Sequence, residues 1–479
     1  MSDYGPVSDS RAEQPSARMV PAGGERTFVH VLVNTAVANI TTSFLWFALT
    51  FWVYIETESV LATGIIGGAY MLLLAVFGMV FGTVVDRYRK KTVMVVSAVI
   101  TLIAFLAAGG LYLSQPESAL LDLGRPWFWL FAAIILAGAV VENLRNIALS
   151  TTVTLLVPVD RHANANGLVG TVQGLSFIVT SVLSGLAIGL LGMGWTLVIA
   201  IALTGLPLVH LLTLRMPEER PVRDSTAKAI DFHGAVQAIR AVPGLFALIL
   251  FSTFNNLIGG VYMALMDPYG LTLFEVEVWG IVFAIASTGF IAGGALIAAK
   301  GLGRNPIRTL LIAVVAMGVL GAVFTIREWW WLYLVGIWLY MLLVPAIEAA
   351  EQTVIQKVVP YERQGRVFGT ATALEVSAAP ITAFLIAPIA EFWIIPFMDT
   401  DAGDAAWGWL LGTGDARGIA LVFLFAGLIM VVFALLAFTT RAYRTLSAQY
   451  AGQATSVAAA SEAAPASPTQ ALRGGTDPT

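Results

Sequence analysis

The chain has 479 residues, of which 58% are hydrophobic and only 12% charged, against roughly 45–50% and about 25% in an average soluble domain; this excludes a soluble enzyme. Lys and Arg number 26 against 30 Asp and Glu, a net charge of -4, so no basic surface for nucleic acid is implied. The absence of cysteine removes disulfides, thiolate metal sites and cysteine nucleophiles together.

Residues 1–27 form a polar tail without the basic start, apolar core and cleavage site of a signal peptide. Six apolar stretches follow, at 28–54, 60–84, 92–114, 127–150, 167–191 and 195–215. Each is long enough to cross roughly 30 Å of hydrocarbon as a helix. A break at 216–242 holds Pro217, Glu218, Glu219, Arg220, Arg223, Asp224 and Lys228, and its end, from Ile230 to Val242, reads as an amphipathic helix lying on the membrane surface. Six more spans are predicted at 243–266, 277–299, 307–326, 330–352, 367–395 and 418–440. Residues 441–479 turn to Ala, Ser, Thr, Gln and Pro, and disorder is expected there. The predicted fold is all-α and integral to the membrane, with twelve transmembrane helices in two six-helix bundles.

Lys and Arg are retained on the cytoplasmic side of a membrane. Only Arg125, Arg327 and Arg417 fall in loops that an even topology places outside, and Arg145 lies within a span, which predicts that both termini are cytoplasmic; the absence of cysteine fits the cytoplasmic membrane, the location expected. Trp127, Trp129, Trp329, Trp330 and Trp331 stand where interfacial anchors belong. An internal repeat is also visible. Val157-Pro158-Val159-Asp160-Arg161 follows the fourth span and Val359-Pro360-Tyr361-Glu362-Arg363 the tenth, with Gly167 and Gly369 at the same distance beyond.

The loop between the second and third spans reads Gly82-Thr83-Val84-Val85-Asp86-Arg87-Tyr88-Arg89-Lys90-Lys91. It resembles the signature of the major facilitator superfamily, with Arg89 in place of the second glycine. Gly82 permits close helix packing, Asp86 can pair with a basic residue or cap a helix, and Arg87, Lys90 and Lys91 hold the loop inside, in a gating or a purely topological role. The resemblance implies the major facilitator fold, in which the first, fourth, seventh and tenth spans line a central cavity. The segments Leu156 to Gly189 and Ile355 to Pro388 resemble the drug-proton antiporter branch that contains macrolide and enterobactin exporters. In the fifth span Gly174, Gly185 and Gly189 fit that branch's pattern, whereas Thr180-Ser181 replaces its Gly-Pro.

Ionisable groups within hydrocarbon are costly and mark function by default. Glu142, Arg145 and Asn146 in the fourth span share one helical face, and Glu348, Glu351 and Gln352 repeat the arrangement in the tenth. The resemblance implies that the two sets face one another. In the functional reading Glu348 or Glu351 exchanges a proton, Glu375 in the eleventh span is a further carrier, and Glu142 with Arg145 is a charge pair that breaks and re-forms. In the other reading Glu142, Arg145, Glu348 and Glu351 are hydrated near the cytoplasmic end, in a static network with Lys357, Arg363 or Arg366. Asn34, Asn39, Asn255 and Asn256 either bind substrate or join helices. Trp46, Trp52, Phe254, Tyr262, Trp338 and Tyr340 either wall a cavity for a bulky apolar substrate or pack the core. His30, His162, His210 and His233 form no spaced metal cluster, and no metal is expected.

No phosphate loop is present, so neither ATP drive nor a cofactor is expected, and coupling falls to an ion gradient. The expected partners are protons, the lipid bilayer and a small-molecule substrate, drug-like or siderophore-like and exported. An uptake symporter and a non-transporting membrane sensor or scaffold are the alternatives. One chain contains both halves, so a monomer suffices.

Overall fold

The computed structural model describes residues 21, 23–57, 60–218, 232–412, 414 and 416–462. The first part of the N-terminal tail, linker residues 219–231 and the chain beyond 462 lie outside the described residues. Among the described residues eleven helical segments are long and apolar enough to cross a membrane. The first four spans are Gly24–Thr57, Val60–Arg87, Lys90–Ser114 and Pro126–Leu156. The fifth and sixth form one helical run, His162–Thr213, interrupted at Gly192, whose φ of 73° is the left-handed region that glycine tolerates. Ser184 on the first limb donates to the Phe44 carbonyl (3.0 Å), while the second limb offers its Pro207 carbonyl to Asn34 (2.7 Å), nearer the start of the first span. The run therefore doubles back and crosses twice, which makes twelve crossings.

The second half repeats the pattern with Leu245–Leu273, Val276–Lys300, Pro306–Val323, Trp330–Val358, Tyr361–Ile389 and Arg417–Thr439. Local chemistry sets the starts. Pro126 and Pro306 sit at the first helical position, where a missing N–H costs nothing. The Asn305 side chain accepts the Arg308 N–H (3.1 Å) as an N-terminal cap. The eleventh span begins at Tyr361, one turn and a half before the predicted start, and beyond Ile389 continues as π-type and short helical turns to Leu411.

Within the predicted stretch from Ile230 to Val242, whose first two residues lie outside the described ones, Phe232–Ala241 is helical, with Ala235, Ala238 and Ile239 buried on one face. The tail differs from expectation. Arg441–Glu462 is a helix, not a disordered segment. It packs on the ends of the seventh and tenth spans: Leu446 is buried, and the Lys357 ammonium lies 3.7 Å from the centroid of the Tyr450 ring. Ala and Gln are strong helix formers, and Tyr443, Leu446 and Tyr450 supply a stripe at helical spacing.

The halves meet along two seams that small residues make possible. Gly78 and Gly82 of the second span lie against Gly365 and Gly369 of the eleventh, so that a side chain on any of them would meet the opposite backbone or its side chains. Gly167, Gly170 and Gly174 of the fifth span lie against Ile297, Pro345 and Phe290. Further along the same helices, Gly67, Gly68, Gly185 and Gly189 face open space. The two bundles thus touch at the end that bears the chain termini and spread apart toward the other.

Candidate functional site: a gated cavity between the halves

The closed end is held by polar contacts from one half to the other. Asp86, at the end of the second span, accepts the backbone N–H groups of Gly365 (2.6 Å) and Arg366 (3.0 Å) near the start of the eleventh span, and its carboxylate lies 3.3 Å from the Arg366 guanidinium. A carboxylate at a helix N-terminus is stabilised by the aligned peptide dipoles as well. Glu218, in the linker, accepts the Lys90 N–H (2.7 Å) and the Tyr361 hydroxyl (3.1 Å), with the buried Lys90 ammonium 3.7 Å away. Lys91 donates to the carbonyls of Leu212 and Leu214 within its own half. Deeper in, Asn166 donates to Thr353 (2.9 Å) and Gln356 (2.8 Å), and Gln356 donates to the Ser150 carbonyl (2.9 Å).

Above this floor lies a cavity of about 350 Å³. The first half contributes Asn143, Asn146, Ser150 and Gln173; the second contributes Ser252, Asn255, Asn256, Glu348, Glu351, Gln352 and Glu375, with Met317, Ile347 and Phe368 as apolar wall. A smaller cavity of about 210 Å³ shares Asn143, Asn146 and Gln173 and adds Asn39, Phe47, Tyr70 and Glu142. Among the described residues no basic side chain lies within ion-pair distance of Glu348, Glu351 or Glu375, and one carboxyl oxygen each of Glu351 and Glu375 is buried without a hydrogen-bond partner. Lys357 is turned onto Tyr450, Arg366 onto Asp86, and Arg363 is exposed, so the basic network imagined around these glutamates does not form.

The fourth span differs. Glu142 pairs with Arg145 through a close contact of Oε1 with Nε, and its other oxygen accepts the hydroxyls of Ser97 (3.0 Å) and Thr101 (3.4 Å). Arg145, fully buried, also donates to Asn34 (2.6 Å), which in turn donates to the Pro207 carbonyl and lies 3.0 Å from His210. This network joins the first, third, fourth and sixth spans inside one bundle. The two charged sets therefore do not face one another. At the repeat's own offset Glu348 corresponds to Asn146 and Gln352 to Ser150, and those are the pairs that share the larger cavity.

Asn39 donates to Asn146 (2.8 Å), and both line the smaller cavity. Asn34 does not; it joins helices. The aromatic wall is corrected in the same way. Tyr262 stacks on Phe423 inside the second bundle, beside Tyr340, and its hydroxyl reaches the Phe423 carbonyl (3.4 Å). Trp338 donates to Thr288 (3.0 Å), Phe254 stacks on Phe433, and Trp52 packs edge-on to Phe131. Trp46 sits behind Tyr70, ring centroids 5.0 Å apart; among the described residues Phe47 and Tyr70 are the rings that reach the smaller cavity and Phe368 reaches the larger. Tyr262, Tyr340 and Trp52 are buried within their own bundles, where large rings pack well, and Trp46, Phe254 and Trp338 are half-buried.

The family model described as Major Facilitator Superfamily matches residues 31–383. This chain belongs to that superfamily. Macrolide efflux protein A of Streptococcus pyogenes is 24% identical over 76% of this transporter and 89% of that protein. Enterobactin exporter EntS of Shigella boydii serotype 18 is 26% identical over 68% and 75% of the two chains. Among solved structures, a bacterial homologue of the iron transporter ferroportin in its outward-facing state superposes with a TM-score of 0.64 at 15% identity, over 87% of this transporter and all of that chain. The human organic anion transporter MFSD10 gives 0.63 at 13% identity, over 86% of this transporter. At such identities the structures establish the fold.

Sequence reading missed Glu218, Asn166 and Gln356 at the floor, and Asn143, Gln173 and Ser252 on the cavity. The linker's Pro217-Glu218 step gave no spacing to read. Single amides and hydroxyls within spans look alike whether they join helices or line a cavity, since only helix rotation distinguishes them.

Proposed function

We propose that this transporter exports amphipathic small molecules, drug-like or siderophore-like, in exchange for protons, by alternating access of the central cavity. The observation that carries the reading is the group of three carboxyls, Glu348, Glu351 and Glu375, on the cavity wall with no basic partner among the described residues. A carboxylate in that setting is costly unless it is compensated, and a proton supplies the compensation. The names of the two efflux relatives support export.

The distribution of Lys and Arg supports a cytoplasmic position for the terminus-bearing end, so the floor at Asp86, Glu218 and Asn166 is the cytoplasmic gate, shut here, and the protein faces outward. From this state a proton enters from outside onto one of the carboxyls. The bundles then rock, Asp86 leaves the start of the eleventh span and the outer ends close. Facing inward, the carboxyl gives its proton to the cytoplasm and substrate enters; the return step carries substrate out. Each cycle moves at least one proton inward for each substrate outward.

Purified protein in liposomes containing a pH dye, given a panel of macrolides, cationic dyes and siderophores, tests this. The reading predicts proton movement that appears only with a transported compound and runs opposite to it. Transport without proton movement, or proton movement in the same direction as substrate, would contradict it.

A further inference from the structure

We infer that the terminal helix Arg441–Glu462 is a tether that keeps the part of the tenth span beyond Pro345 moving with its own bundle, so that the floor opens by rocking of the two halves and not by that segment alone. The inference rests on the floor being a gate, and is independent of which ion or compound is moved.

The tenth span has a point of weakness. Pro345 lies inside its helix, where it removes a backbone hydrogen bond and permits a bend. Residues 346–358 beyond it carry Glu348, Glu351 and Gln352 to the cavity and Thr353 and Gln356 to the floor. Gln364 of the eleventh span donates to the carbonyls of Gln356 (2.8 Å) and Val359 (2.9 Å), which makes the corner between the two spans one piece. The first half grips this corner twice, through Asn166 and the Ser150 carbonyl on Gln356 and through Asp86 on Gly365 and Arg366. A corner that is hinged at a proline and gripped by the opposite half needs a hold on its own half as well.

The terminal helix supplies one. Next to Gln356, the Lys357 ammonium lies 3.7 Å from the centroid of the Tyr450 ring, a cation–π contact. Four residues back along the terminal helix, Leu446 is 2% exposed, and four further back Ala442 lies on the start of the seventh span. Gly244, which precedes that span with a φ of 89°, is approached so closely that a Cβ on it would stand 2.8 Å from the Ala442 carbonyl oxygen and 3.1 Å from the Leu446 Cβ. Residues four apart share a helical face, so one stripe binds the seventh span at one end and the tenth at the other. The near end is fixed to the twelfth span: the Thr440 hydroxyl accepts the Tyr443 N–H (3.2 Å), and the Tyr443 ring meets Phe438 edge-on, centroids 5.4 Å apart. None of these terminal-helix side chains lines either cavity, which leaves the helix a mechanical role. Parting of the corner alone, with the outer ends still spread, would connect the two sides through the cavity and dissipate a gradient; the tether opposes that movement.

The test is labelling of a single thiol, Ser150→Cys on the cavity, in the full-length and otherwise cysteine-free chain, reconstituted in one orientation and exposed to an impermeant maleimide from either side. Leu446→Asp puts a charge at a buried contact and unseats the helix, and is expected to raise labelling from the terminus-bearing side about tenfold or more. Tyr450→Leu removes the ring under Lys357 and should raise it about two- to fivefold, whereas Tyr450→Phe keeps a ring face and should leave it within about twofold. In all three, labelling from the opposite side stays at the reporter's own rate, and thermal unfolding verifies that each variant is folded. Unchanged labelling in both Leu446→Asp and Tyr450→Leu, equal acceleration in Tyr450→Phe and Tyr450→Leu, or a gain on one side matched by a loss on the other would overturn the inference; the last result would make the helix a bias on rocking and not a tether. Asp86→Asn in the same assay tests the gate separately: if it changes neither rate while the helix variants behave as expected, the Asp86 contact is not the gate and the tether stands.

Discussion

The fourth and tenth spans occupy corresponding places in the two halves and carry glutamates at similar depth, yet the two sets of carboxyls have opposite fates. Glu142 is buried beside Arg145 and accepts two hydroxyls, all within one bundle. Glu348 and Glu351 lie on the cavity with Glu375 and have no cationic partner among the described residues. One arginine makes the difference. A carboxylate that has its guanidinium and its hydrogen bonds has nothing left to exchange, and it contributes rigidity. A carboxyl without them can lower its cost only by taking a proton or a ligand, and both arrive through the cavity.

Breaking the paired side should be the most damaging change. Arg145→Ala leaves Glu142 buried with hydroxyl donors alone, and is expected to cost about 3–5 kcal/mol, the usual penalty for stripping one partner from a buried pair. Thermal unfolding in detergent measures it, and the double variant Glu142→Gln with Arg145→Met should regain part of the loss. If Arg145→Ala unfolds like wild type, the pair is not structural.

The gate gives the next largest effect. Asp86→Asn gives up the charge in its bonds to Gly365 and Arg366, about 1.5–3 kcal/mol for charge-assisted bonds, and favours the state open to the terminus-bearing end. The chain has no cysteine, so Ser150→Cys provides a unique reporter on the cavity just above the floor. An impermeant maleimide applied from that end should label it several-fold faster in the Asp86→Asn background. Glu218→Ala should accelerate labelling in the same direction and by less, since its contacts to Lys90 and Tyr361 flank the gate. Unchanged labelling in both would separate these contacts from gating. The smallest effect belongs to Trp338→Phe, which loses one partly exposed hydrogen bond to Thr288, about 0.5–1.5 kcal/mol at most, and should leave substrate affinity within about twofold because the ring lies outside both cavities.

The twelve spans and the helix at Phe232–Ala241 were legible because hydropathy and short polar breaks are local signals, and the charged loop drew attention to Asp86. What was not legible depends on rotation about a helix axis. Glu142 and Asn146 are a turn apart, and a modest rotation decides that Glu142 pairs inside the bundle and edges only the smaller cavity while Asn146 lines both. The register of the repeat already paired Glu348 with Asn146 rather than with Glu142, a clue that the matching of glutamate to glutamate overrode. The final helix was hidden by its composition: too few bulky residues to fill a core, yet enough Ala and Gln to wind and a three-residue stripe to dock. Tyr262 and Trp338 show the converse, large rings in cavity-lining spans that turn toward their own bundle.

The most direct test of the central claim is substrate-driven proton flux in liposomes, compared per folded molecule among wild type, Glu351→Gln, Glu375→Gln and Glu142→Gln. The account predicts that Glu351→Gln or Glu375→Gln abolishes the flux while Glu142→Gln retains most of it. Flux that survives in both cavity variants and vanishes in Glu142→Gln would place the proton on the fourth span and contradict the division of labour between the halves.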